Sequence, residues 1–128
     1  MDRIVGQWRE RAKYDLETAR GMIRIRKYLY AVFMCQQAVE KLLKAHLASL
    51  GKEAFPIHNL PRLAQEAGLF ESCEGQDAGL LLELTPFAIK ARYGEYKRKL
   101  SELCDRKTAI SYVARTERMA KWLIRKLG

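Results

Sequence analysis

Apolar and polar positions separate most cleanly between Cys35 and Leu47, in the stretch CQQAVEKLLKAHL. Projected at about 100° per residue, Ala31, Met34, Cys35, Ala38, Val39, Leu42, Leu43, Ala45 and Leu50 cover half of a helix circumference. Gln37, Glu40, Lys41 and Lys44 form a polar stripe opposite, which Tyr30 and Phe33 continue upstream. An apolar arc this wide exceeds what one neighbouring helix covers. The pattern predicts a central helix, packed on its own core and with room for a second copy of the chain.

The same periodicity extends to both sides. Ile4, Trp8, Ala12, Asp15, Leu16, Ala19 and Ile23 recur at helical spacing and predict a first helix from about Arg3 into the twenties. Arg26, Lys27 and Tyr28 mark the turn into the central helix, which Gly51 ends. KEAFPIHNLP reads as a loop, with Pro61 placed to open a short helix over LPRLAQEAG. LFESCEGQDAG reads as a second loop with Phe70 tucked inward. A further helix, about Asp77 to Tyr93, buries Leu80, Leu81, Leu84 and Ala88, and Pro86 should either kink it or start a new turn after Thr85. Tyr93 to Lys107 is basic and reads as irregular. Thr108 is expected to cap a last helix displaying Ile110, Val113, Met119, Ala120, Leu123 and Leu127. The expected fold is all-α: a single domain over 1–128, an antiparallel up-and-down bundle of four main helices plus one short one.

Charge sharpens this picture. The net charge is +9, yet Leu63 to Ile89 holds five acidic residues and no basic one, leaving +14 on the rest. Such asymmetry permits one face attractive to phosphates and another that is not. It equally fits an ordinary solvated surface. No apolar run is long enough to span a membrane, and charges in the N-terminal residues argue against a signal peptide, so a cytoplasmic protein is expected. Cys35, Cys73 and Cys104 are odd in number and widely spaced, which suits a reducing compartment. With no CxxC step, a metal site is not expected.

Several side chains are candidates for ligand contact. Lys41 and Lys44 offer ammonium groups to a phosphate, Gln37 a hydrogen-bonding amide, and Tyr30 or Phe33 a stacking surface. The alternative is an exposed face in which Glu40 and Lys44, four apart in the favourable order, pair with each other. Arg92, beside Tyr93, can reach a phosphate with two donors or fasten its helix to Glu40. His58, in a loop between two prolines, either bonds local backbone or joins Lys41 or Arg92 in a ligand site. His46 reads as a helix-end or interface residue. The chain has no P-loop, no Ser/His/Asp set and no helix-turn-helix pattern, which excludes those chemistries and sequence-specific DNA reading.

QQAxEKxLKAxL, then His58-x-Leu60, then Ala91-Arg92-Tyr93 and a final amphipathic helix, together resemble the HEPN domain. Trp8, Ala12, Asp15, Leu16 and Ala19 match its opening, so the resemblance covers nearly the whole chain. It implies a compact helical homodimer, often encoded beside a minimal nucleotidyltransferase in a toxin–antitoxin-like pair. Ribonuclease members of that family carry an arginine followed, after four to six residues, by a histidine. No such pair exists here, because neither His46 nor His58 has an arginine at the required distance before it. The resemblance therefore implies a non-nucleolytic module that binds a nucleotide, RNA or acidic partner through Gln37, Lys41, Lys44, His58, Arg92 and Tyr93. No catalytic residue, cofactor or metal is implied. The alternative it leaves open is a metal-independent endoribonuclease toxin with an atypical site around Arg92, Tyr93 and His58.

Overall fold

The computed structural model describes residues 2–53, 56–88 and 94–128, with side chains from 98 onward in the last stretch. Three helices of equal length dominate: α1 (Arg3–Arg24), α2 (Tyr28–Ser49) and α7 (Arg106–Leu127). Between α2 and α7 lie α3 (Leu60–Glu66), α4 (Phe70–Cys73), α5 (Ala78–Leu84) continuing as a 3₁₀ turn (Thr85–Ala88), and α6 (Gly94–Leu103). No strand occurs among the described residues.

Helix α2 is the axis of the molecule and packs against α1, α7, α3, α5, the 3₁₀ turn and α6. Its apolar arc is buried as expected, with Ala31, Cys35, Ala38, Val39, Leu42, Leu43 and Ala45 fully enclosed. Burial goes further than the pattern predicted. Glu40 and Lys44, half of the expected polar stripe, are buried together with Gln36 and His46, while Gln37 and Lys41 are half-buried. Leu50, assigned to the arc, lies outside it at 56% exposure. On α1, Val5 takes the core position predicted for Ile4, which is exposed. The two positions lie 100° apart, and the first turn presents its other side.

Helix starts follow short acceptors. Asp2, Asn59, Asp77 and Asp105 each accept a bond from a backbone N–H two or three residues on. Asp105, not Thr108, therefore caps α7, and Thr108 supplies the N–H it receives at 2.8 Å. The stretch read as irregular after Tyr93 is helical from Gly94 to Leu103. GEYKRKLSEL is rich in strong helix formers, and Leu100 packs on the core. Charge density hid that helix. The expected count of four helices plus one was accordingly short by α6 and by the brief α4. The Pro86 break is real: the α-helix yields to the 3₁₀ turn at Thr85.

All three cysteines are free and buried. Burial pushes the Cys35 thiol up to about 12 and that of Cys104 to about 11, which removes them as nucleophiles. Among the described residues no helix is long and apolar enough to cross a membrane, and no group of ligating side chains could hold a metal.

Candidate functional site

The polar groups of α2 converge on Glu40. One carboxylate oxygen accepts from Gln36 Nε2 at 2.9 Å and from His58 Nδ1 at 2.8 Å; the other accepts from Lys44 Nζ at 2.9 Å. Burial alone raises a carboxyl pKa, but these three bonds more than offset it and leave Glu40 below its ordinary range. Gln36 Nε2 also reaches the His58 carbonyl at 3.3 Å, and its Oε1 accepts from Gln37 at 2.7 Å. Lys44 is sandwiched, its ammonium 5.8 Å from the Trp8 ring centre. One turn away, Lys41 bonds Asp15 of α1 at 2.5 Å. Burial pushes the Asp15 carboxyl upward, against the pull of Lys41.

Local structure fixes His58 in this network. Asn59 caps α3, and the Leu60 N–H that follows donates to Thr85 Oγ1, which itself donates to the Leu81 carbonyl. The loop is thereby tied to α2 on one side and to α5 on the other. Because a carboxylate only accepts, His58 Nδ1 carries hydrogen. Its Nε2 is left as the second polar atom of a side chain that is 39% exposed.

Of the sequence-predicted site residues, Gln37, Lys44 and His58 belong to the Glu40 network, and Lys41 forms a separate pair with Asp15. Arg92 and Tyr93 lie outside the described residues. The expected Glu40–Lys44 pair exists, yet it is buried rather than displayed. The stacking pair divides: Phe33 is half-buried against the core, while Tyr30 is exposed and lines a cleft at the start of α2. The helix rises about 21 Å between Tyr30 and Lys44, too far for one mononucleotide site. His46 sits between α2 and α7, Nε2 at 2.8 Å from the Leu123 carbonyl, and burial lowers its pKa.

Residues 5–127 match one family model, the HEPN domain. The chain belongs to the HEPN family. The HEPN fold is also seen in the crystal structure of an archaeal HEPN homologue, 23% identical over 100% of both chains with a TM-score of 0.78. A crystal structure from Thermus thermophilus is 24% identical, over 98% of this chain and 99% of the other, with a TM-score of 0.80. At that identity the likeness establishes the fold. No curated protein matches the chain.

Sequence reasoning missed two features of this HEPN chain. Asp15 recurs at the helical spacing of α1, but its burial does not follow from that: a carboxylate enclosed there demands a cation from the facing helix, and Lys41 supplies it. The second is a clasp on α7. Arg115 bonds Asp77 at 2.7 and 2.9 Å and Glu83 at 3.0 and 2.7 Å, and Tyr112 donates to Glu83 at 3.1 Å. Part of the acidic segment is thus spent holding α5 to α7.

Arg115 is the main reason that Asp77 and Glu83 both lie below the ordinary carboxylate range. Lowered folded pKa values give stability that is present above the unfolded values, about 4, and lost as pH falls through the folded ones. Arg115→Gln should therefore flatten the acid limb of a stability-against-pH curve, measured by denaturant midpoints from pH 6 down to about 3. An unchanged limb would show that the clasp contributes nothing.

Proposed function

We propose that this HEPN chain is a homodimeric nucleotide-binding or interaction module without nuclease activity, accessory to a separately encoded minimal nucleotidyltransferase in a toxin–antitoxin-like pair. Gln37, Lys41, Lys44 and His58 are its proposed ligand-facing groups, with Arg92 and Tyr93 completing the set. One observation carries the reading: His58 is held at Nδ1 by the buried Glu40 while its side chain stays partly open. A hydrogen-bonding group fixed from behind meets a ligand with little further ordering cost.

The lysines play a lesser part than their sequence positions suggest. Asp15, Glu40, Lys41 and Lys44 cancel in charge, and a phosphate would compete with carboxylates already in contact. Lys41, 23% exposed, is the more approachable of the two.

The same Glu40–His58 contact favours a second reading, an endoribonuclease with an atypical site. A carboxylate behind an imidazole fixes its tautomer and stabilises the imidazolium formed when Nε2 takes a proton. The reaction also needs a group to protonate the leaving 5′-oxygen. His46, the only other histidine, is turned into the α2–α7 contact.

Calorimetric titration with ATP, GTP and a short RNA tests the first reading. Saturable nucleotide binding is expected, weakened about tenfold by His58→Ala, the scale of one hydrogen bond to a charged group. Silence at millimolar nucleotide removes the binding claim. RNA cleavage abolished by His58→Ala would replace it with the nuclease, and a monomer in sedimentation would remove the dimer.

A further inference from the structure

Three helix ends in this chain share one backbone motif, and one of them carries a residue the motif disfavours. After α2, Gly51 has φ 73°, its N–H bonds the Ala48 carbonyl, and the next N–H reaches back to Leu47 at 2.9 Å. After α3, Gly68 repeats this with φ 72°, and Leu69 N–H reaches Ala64 at 2.8 Å. After α1 the same two bonds form, Arg26 to Ile23 at 3.1 Å and Lys27 to Met22 at 2.8 Å. Here the left-handed position, φ 61°, is held by Arg26. It is the one non-glycine with positive φ among the described residues. Glycine is the usual occupant because a Cβ crowds the following carbonyl.

Arg26 borders a cleft of about 240 Å³ between the α1–α2 turn and α6, lined also by Lys27, Tyr28, Tyr30 and Ser101. Arg26 and Lys27 are exposed, and neither has an ion-pair partner among the described residues. Lys41 and Lys44 differ in this respect, since a carboxylate neutralises each. No carboxylate is among the lining residues described, whereas four other surface clefts carry Glu66, Glu117, Glu83 and Asp2. The cleft therefore joins two uncompensated cations, a hydroxyl and two phenol rings. The first turn of α2 adds to the positive potential, because Lys27 makes no side-chain cap bond there.

We propose that this cleft binds the phosphate monoester of a nucleotide. Arg26 and Lys27 meet the phosphate oxygens, Ser101 donates its hydroxyl, and the base lies along the tyrosine rings. At about 240 Å³ the cleft accommodates a phosphate with its sugar, and because it is open the base extends outward along the tyrosine rings. Free nucleotide and an RNA 5′ end present the same group. The site stands apart from His58, since α2 rises about 15 Å between Tyr30 and Glu40.

Amide shifts of the isotopically labelled full chain, followed at about 0.15 M salt, test the proposal. The probes are AMP, adenosine, and a short oligoribonucleotide with or without a 5′-phosphate. Tyr28, Leu29, Tyr30 and Ser101 should move with the phosphorylated probes and not with adenosine or the 5′-hydroxyl oligonucleotide. A response to AMP identifies free nucleotide as a source, and a response to the phosphorylated oligonucleotide alone identifies RNA ends; either supports the site.

Arg26→Gly should raise the melting temperature, because glycine suits that backbone, and still weaken binding tenfold or more. Lys27→Gln should weaken binding similarly and serves if the glycine variant misfolds. Lys121→Gln, the same charge change on the exposed side of α7, should alter affinity less than twofold. His58→Ala should leave this cleft unaffected. Equal weakening by Lys121→Gln and Arg26→Gly would overturn the proposal in favour of diffuse attraction. No shift at millimolar probe would also overturn it. Shifts confined to Gln37 and His58 would overturn it while leaving the His58 reading intact.

Discussion

Glu40→Ala is expected to lower the unfolding free energy by about 3–5 kcal/mol, the range for breaking a buried ion pair from one side. The substitution removes the acceptor shared by Gln36, Lys44 and His58. Lys44 is 8% exposed and would keep its charge inside the bundle without a carboxylate. Asp15→Ala is expected to cost far less, on the order of 1 kcal/mol, because Lys41 is more open and can turn to water. Replacing both members of the pair, Glu40→Leu with Lys44→Leu, should recover most of the loss, since no stranded charge remains. Urea unfolding at constant slope measures all three. A Glu40→Ala midpoint equal to that of Asp15→Ala would show that the network is not organised around Glu40.

Leu43→Ala is expected to cost about 2–5 kcal/mol, and Leu50→Ala less than about 0.5 kcal/mol. Leu43 is fully enclosed, so its truncation leaves a cavity in a helix that has neighbours on nearly every side. Leu50 lies past the end of α2 and is mostly in water. Thermal unfolding distinguishes them readily: for a domain of this size, the first corresponds to a drop of roughly 6–25 degrees and the second to about two or less. Comparable losses at both positions would mean that α2 is rotated or longer than described.

The fold was readable because its main signals are local. Spacing of Ala12, Leu16 and Ala19, or of Ala38, Leu42 and Ala45, specifies a helix and its buried side without knowledge of partners. Helix α6 was unreadable for the opposite reason. Tyr96, Leu100 and Leu103 do recur at helical spacing, but three apolar positions inside a basic run opening on Gly94 are too short a stripe to stand out. Among the described side chains of α6, Leu100 is the one packed on the core.

The site was half legible. Spacing put Glu40 and Lys44 together, and nothing local could say that α1 and the His58 loop would cover them. Ion-pair geometry within a helix follows from sequence distance, whereas burial depends on which other elements arrive. The Arg115 clasp joins residues 32 and 38 positions apart and left no local trace. Arg26 shows a further limit: its helix-ending role was expected from position, but its left-handed backbone was not, because glycine is the residue that announces it.

Since the bundle encloses most of α2, the residues left unburied between its two ends (Tyr28 and Ser49) are Tyr30, Phe33, Met34, Gln37, Lys41 and Ala48. That leaves a single narrow lane for whatever arrives from outside. A rod-shaped visitor lying in it would shadow the edge of the Glu40 network and the mouth beside Tyr30 at once. A partner docked on this strip and a small molecule beside Gln37 or Lys41 would therefore compete for it, unless the partner supplies the missing wall.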